Sequence, residues 1–162
     1  MANHKILIQR LYICLGKRDG PGMANLYHDE ATFTDPGFGL LNAEQTRGMW
    51  KMLCERGKDL RVQFEVKHVD DEVGQCHWQA WYTFSGTGRQ VHNQITSDFT
   101  FKDGKIYRQV DHFNFHRWSR QALGLPGLLF GWSGFLQAKV RQKALAGLAN
   151  FMQKKAQSES KA

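Results

Sequence analysis

With 162 residues, 41% hydrophobic and 23% charged, the chain is long enough to bury one core and has the composition of an ordinary soluble globular domain. The net charge of +7 is local. Residues 1–111 hold 14 basic and 14 acidic side chains, while residues 112–162 hold eight basic ones and a single acid, Glu159. A nucleic-acid-binding fold carries its basic stripe across its body, so no nucleic-acid partner is expected.

Cys14, Cys54 and Cys76 are odd in number, widely spaced and set among apolar or aromatic neighbours. That excludes a disulfide framework or a zinc knuckle and predicts reduced, buried thiols in a cytoplasmic protein. The opening "MANHKILIQRLYICLG" carries Arg10 within its apolar part and no small-residue cleavage site, so no signal peptide is expected. No run reaches the roughly 18–20 apolar residues of a bilayer span.

In chain order, Lys5 to Leu15 reads as a helix with Leu7, Ile8, Leu11, Tyr12 and Leu15 on one face. "GKRDGPG" turns the chain, and Met23 to His28 reads as a second short helix, with His28 exposed at its end. "ATFTDP" reads as a short strand stopped by Pro36, with "GFG" as loop. Asn42 and Gln45 have capping-box spacing before a helix through Met49, Trp50, Leu53 and Cys54 that stops at Gly57. The period then falls to two. "LRVQFEVKHV", "QCHWQAWYTF", "QVHNQITSDFTF" and "IYRQVDHFNFHRW" read as strands joined by "DDEVG", "SGTGR" and the tight hairpin "KDGK". "SGTGR" is too short and too strand-flanked for a phosphate loop. Helical character returns after Ser119. Phe135, Leu136, Val140, Ala144, Leu148 and Phe151 form a stripe that Arg141 interrupts. "QKKAQSESKA" reads as a frayed tail.

This order, with "LYICLG", "LYHDEATFTDP", "FTFKDGKI" and "VDHFN", resembles the nuclear-transport-factor-2-like superfamily over about residues 5–118. Its members include SnoaL-like polyketide cyclases and ketosteroid isomerase. The resemblance implies an α+β cone: a curved antiparallel sheet wrapped around the N-terminal helices, with an apolar pocket between them. Residues 1–123 would form the cone, 124–155 a basic helical extension packed on it, and 156–162 a disordered tail. It also implies a homodimer through the convex face of the sheet.

If Val62, Phe64 and Val66 face the interior, so do Trp78, Ala80, Tyr82 and Phe84. Asn93, Ile95, Ser97, Phe99 and Phe101 follow, then Gln109, Asp111, Phe113 and Phe115. His77, Trp81, His92, Asp98, His112 and His116 fall outside. A one-residue slip would exchange the two sets. His112 and His116 stand roughly 13 Å apart on a strand, too far to share an ion, and no metal or cofactor is expected.

By resemblance to ketosteroid isomerase, Asp35 matches the general base and Tyr12 the oxyanion-hole tyrosine. Ser97 stands where the family's second donor is an aspartate. The plain alternative makes Asp35 the start of a turn and Tyr12 a core residue. Asp111 matches a catalytic acid of limonene epoxide hydrolase and the cyclases. An acid facing inward among aromatic residues needs a partner or a raised pKa, and a structural acid is the other reading. Ala80 and Tyr82 replace groups the hydrolase requires, which argues against epoxide hydrolysis. The expected function is a pocket for a small apolar molecule, with cofactor-free acid/base proton transfer by Asp111, Asp35 and Tyr12. Trp50, Trp78, Tyr82, Ser97, Phe99, Gln109 and Phe113 would line it. The alternative is a non-catalytic binding or interaction module whose basic C-terminal helix contacts a partner or a membrane. Packing is the favoured role for that helix.

Overall fold

The computed structural model describes residues 3–162. Helix α1, His4–Gly16, starts where the Asn3 side chain accepts from the Ile6 N–H, and buries Ile8, Leu11, Tyr12 and Leu15 at helical spacing. Helix α2, Gly20–Ala24, is capped by Asp19 and has Pro21 in its first turn. It lies earlier than the sequence predicts, because Tyr27 and His28 belong to strand β1, Tyr27–Asp35. The "GFG" loop gives way to a short strand, β2, Gly39–Leu41. Helix α3, Ala43–Arg56, opens on the complete Asn42–Gln45 capping box.

Strands β3, Arg61–Val69, β4, Val73–Thr83, β5, Gln90–Lys102, and β6, Lys105–His112, follow. The β5–β6 hairpin turns on Asp103 and Gly104, both at positive φ (53° and 72°), the conformation a two-residue hairpin loop requires. The six strands run β2-β1-β6-β5-β4-β3. The sheet is mixed rather than wholly antiparallel, since β1 joins β6 in parallel. Helices α1 and α3 cover its inner face, α1 on β3 and α3 on β1.

The last strand is shorter than its aromatic alternation suggests. Asn114 accepts from the Arg117 N–H and starts helix α4, Phe115–Leu123. Phe115 and Trp118 are thus helical neighbours, a spacing that a period-two reading also accepts. Phe113 lies between strand and helix, half-buried against the core, and Phe115 is on a helix rather than a strand. His112 bonds Asp98, whereas His116 is carried on α4 and meets the Leu128 carbonyl.

Helix α5, Leu125–Phe130, and helix α6, Gly134–Ser160, complete the chain. Leu148 of α6 enters the core, and Leu145, Phe151 and Met152 pack beside it against α3. Phe135 does not join this stripe and is exposed. The helix continues past residue 156, where the sequence predicts a disordered tail; a Lys155–Glu55 ion pair of 3.1 Å ties it to α3 just before that point. No helix among the described residues is long and apolar enough to cross a membrane.

Candidate active site

The strand register decides which polar groups meet. Ser97 on β5 is paired with Cys76 on β4 and with Asp111 on β6, so all three point inward at one level of the cone. Asp111 is 5% exposed. Its Oδ1 accepts from Ser97 Oγ at 2.5 Å and from Gln109 Nε2 at 2.9 Å. Among the described residues nothing hydrogen-bonds Oδ2.

Two tryptophans set the direction of these bonds, because an indole N–H can only donate. Trp78 Nε1 donates to Ser97 Oγ at 2.8 Å, as does the Tyr12 hydroxyl at 2.8 Å, which leaves the serine proton for Asp111. Trp50 Nε1 donates to the Tyr27 hydroxyl at 2.7 Å. Tyr27 therefore passes its proton to Gln109 Oε1 at 2.5 Å, and the amide nitrogen of Gln109 is turned toward Asp111. Side chains from α1, α3, β1, β4, β5 and β6 thus converge on one carboxyl oxygen.

Burial raises Asp111 from the ordinary carboxylate range to about 7. The Ser97 and Gln109 hydrogen bonds oppose the rise, and the charges of Asp35 and Asp98 add to it. Burial, reinforced by the charge of Asp111, holds the Tyr12 and Tyr27 phenols well above their usual range, so both stay protonated donors. Burial also pushes Cys54 to about 11 and Cys76 to about 12, which makes neither a ready nucleophile.

Asp35 ends β1 and is partly buried. Its Oδ1 accepts from the Phe38 N–H at 2.6 Å, the geometry of a turn-starting aspartate. Burial raises it to about 6, against the pull of the Phe38, Gly37 and Gly39 N–H groups and the charge of Arg141. Arg141 explains its own break in the α6 stripe. It packs over the β1–β2 turn, where a Cβ on Gly39 would lie 2.9 Å from its Nε, and it reaches the Pro36 carbonyl at 3.4 Å beside Gln137.

The structure thus joins Tyr12, Trp78, Ser97, Gln109 and Asp111 in one network, with Trp50 linked through Tyr27. Asp35 stays outside this network, near Tyr82, whose hydroxyl accepts from Trp118 Nε1 at 2.8 Å. Phe99 packs edge-on to Tyr12 as wall, and Phe113 adds to the wall from beyond β6. The Tyr12 hydroxyl is engaged by Ser97 rather than free. Tyr27 is the member that sequence reasoning misses. A bulge between Tyr27 and Thr32 hides its strand phase, and "YHDE" is too polar to read as sheet.

Two grooves, of about 410 and 610 Å³, open mostly among residues of the outer sheet face, although Phe99 also lines the first and Trp78 the second. They are lined by residues such as Gln75, Asp98 and Arg108, and Gln63, His77 and Thr96. Neither is lined by Asp111, Asp35 or Tyr12.

The family model for the SnoaL-like domain matches residues 8–109. The chain belongs to the SnoaL-like domain family. This family falls within the nuclear-transport-factor-2-like superfamily, and solved structures agree on the SnoaL-like fold. One is AclR from Streptomyces galilaeus, described as a candidate hydroxylase. It is 17% identical, with 78% of this chain and 99% of that one covered at a TM-score of 0.64. IdmH from Streptomyces antibioticus, described as a candidate polyketide cyclase, is 18% identical over 76% and 99% of the two chains, with a TM-score of 0.62. A ketosteroid-isomerase-like protein from Catenulispora acidiphila, solved with trimethylamine, is 13% identical over 78% and 96%, at 0.64. At such identities the likeness is one of fold. Among curated proteins none matches. Helices α4 to α6 lie beyond the end of the SnoaL-like match.

Proposed function

We propose that this SnoaL-like protein is a cofactor-independent isomerase or cyclase that moves a proton on a small, largely apolar carbonyl compound. One observation carries the reading: Asp111 is buried, poised near neutrality, and anchored through Oδ1 alone, with Oδ2 unbonded. A base with pKa near the working pH accepts and returns a proton most efficiently. Asp111 abstracts a proton from carbon beside the carbonyl and returns it to a neighbouring atom. Ser97 and Tyr12 position it, acting as a donor relay that stabilises its charged form. Asp35 is the second carboxyl, at the end of β1. Trp50, Trp78, Tyr82, Phe99 and Phe113 supply the apolar walls. The candidate cyclase IdmH among the structural neighbours supports the class of reaction.

The test uses polycyclic β-diketones and enolisable ring ketones, followed by absorbance. Asp111→Asn keeps both Oδ1 hydrogen bonds and is expected to remain folded while losing at least about a thousandfold in kcat, within the scale of general acid/base catalysis. Undiminished turnover by that variant overturns the proposal. A second reading, a non-catalytic binding module, draws on the closure of the interior and on the engaged Tyr12 hydroxyl. It is favoured if the wild type binds these ketones without converting them. In either reading the outer sheet face, with its two grooves, is the homodimer surface.

A further inference from the structure

Helix α5 is built the wrong way round for a soluble protein. Its small residues face inward and its large apolar ones face out. A Cβ on Gly127 would lie 2.0 Å from the Ser119 carbonyl oxygen, and one on Gly131 would lie 2.1 Å from Ser119 Oγ. The glycine face is therefore clamped backbone-to-backbone on α4, and His116 secures it further by meeting the Leu128 carbonyl at 3.2 Å. Leu125, Leu128, Leu129, Phe130, Trp132 and Phe135 are left between 47 and 75% exposed in a continuous run of chain. Scattered exposed leucines are ordinary, but a contiguous apolar surface of this kind marks an interaction site.

Three donors at the end of the tip are already paired. The Trp132 indole donates to the Leu129 carbonyl at 2.8 Å, Ser133 Oγ donates to the Phe130 carbonyl at 2.6 Å, and the Gly131 N–H donates to the Gly127 carbonyl at 2.8 Å. Such a tip can enter an apolar phase without stranding these donors. The charges along this part of the chain have one sign. Residues 113–143 contain Arg117, Arg120, Lys139, Arg141 and Lys143 and no acid. Helices α4, α5 and α6 carry a single acid, Glu159, at the far end of α6. Lys139 sits with its ammonium 5.0 Å from the Phe135 ring, an apolar stem beside the patch with its charge at the edge.

We propose that the α5 tip is a membrane-docking element that seats the protein on an anionic phospholipid surface. Leucines and aromatic rings enter the interface, while Arg120, Lys139 and Lys143 meet the headgroups. A second copy of this chain would bring the same basic rim against itself, which disfavours self-association through the tip. The inference stands independently of the proposed chemistry.

The experiment is flotation of the full-length protein with large unilamellar vesicles of phosphatidylcholine, with and without phosphatidylglycerol. Wild-type protein is expected to float with the anionic vesicles, and to be released by salt. The exposed-face variant L128S/L129S/F130S should lose at least tenfold in binding with unchanged circular dichroism. The double variant R120E/K139E should lose the preference for phosphatidylglycerol. Brominated lipid should quench wild-type fluorescence more than that of W132F, a comparison that holds even if the triple variant folds poorly. Failure of the wild type to float, or equal flotation of the triple variant, overturns the proposal. So does a triple variant that shifts from dimer to monomer while neither form floats, which would make the tip a self-association surface.

Discussion

At the scale of single residues, the decisive contrast is between the two carboxyls. Asp35 has three backbone N–H groups acting on it at the end of β1, whereas Asp111 has two side-chain donors on one oxygen and lies within the buried network. The raised value of Asp111 has a sign that can be measured. An acid whose folded pKa exceeds its unfolded one takes up a proton on folding between the two values. The contribution of Asp111 to stability should therefore be fullest below the ordinary carboxylate range and be lost as pH rises toward about 7. In Asp111→Asn the decline should shrink to the share owed to Asp35, complete by about pH 6, so that the variant is the more stable protein at pH 8. Urea denaturation at pH 4, 6 and 8 reads this directly, and an unchanged slope would remove Asp111 as its source. Asp111, Ser97 and Gln109 were legible in the sequence because period-two alternation fixes the face once one strand is phased. Tyr27 was not, because its bulge breaks that count.

At the scale of elements, the helices and hairpins with local signals are readable: the Asn42 capping box, the Asp103-Gly104 turn, the alternation of β3. What escapes is the element whose existence depends on a distant partner. Strand β2 is three residues long and exists by pairing with β1, and the parallel β1–β6 pairing joins residues 76 to 79 positions apart. The change from β6 to α4 escapes for another reason, since Phe113, Phe115 and Trp118 fit either period and Asn114 alone arbitrates. Helix α6 is held by a few deep contacts, with Leu148 the one fully buried side chain along its length. Leu148→Ala should cost about 2–5 kcal/mol in chemical denaturation, the range for emptying a packed leucine site. A loss below about 0.5 kcal/mol would mean that α6 merely rests on α3.

At the scale of the whole molecule, the balanced body and basic appendage correspond to different surfaces. The outer sheet face carries the grooves, with Thr96 near its centre, paired to His77 and His112 on its two neighbours. If that face joins two copies, Thr96→Arg should shift sedimentation velocity from dimer to monomer without loss of fold; a variant that still sediments as a dimer would place the contact elsewhere. The buried network has a further consequence in the way it conducts. An indole that can give a hydrogen bond but never receive one heads each branch, joined at Ser97 by the Tyr12 hydroxyl, and both branches end on the same oxygen of Asp111. The Trp50 branch cannot be reversed, because its indole only donates and the amide of Gln109 is no carrier, whereas the Ser97 and Tyr12 hydroxyls can both give and accept. If Asp111 takes up a proton as proposed, the Gln109 branch offers it no exit, and it returns to the molecule that delivered it, to water, or along the Ser97 and Tyr12 hydroxyls.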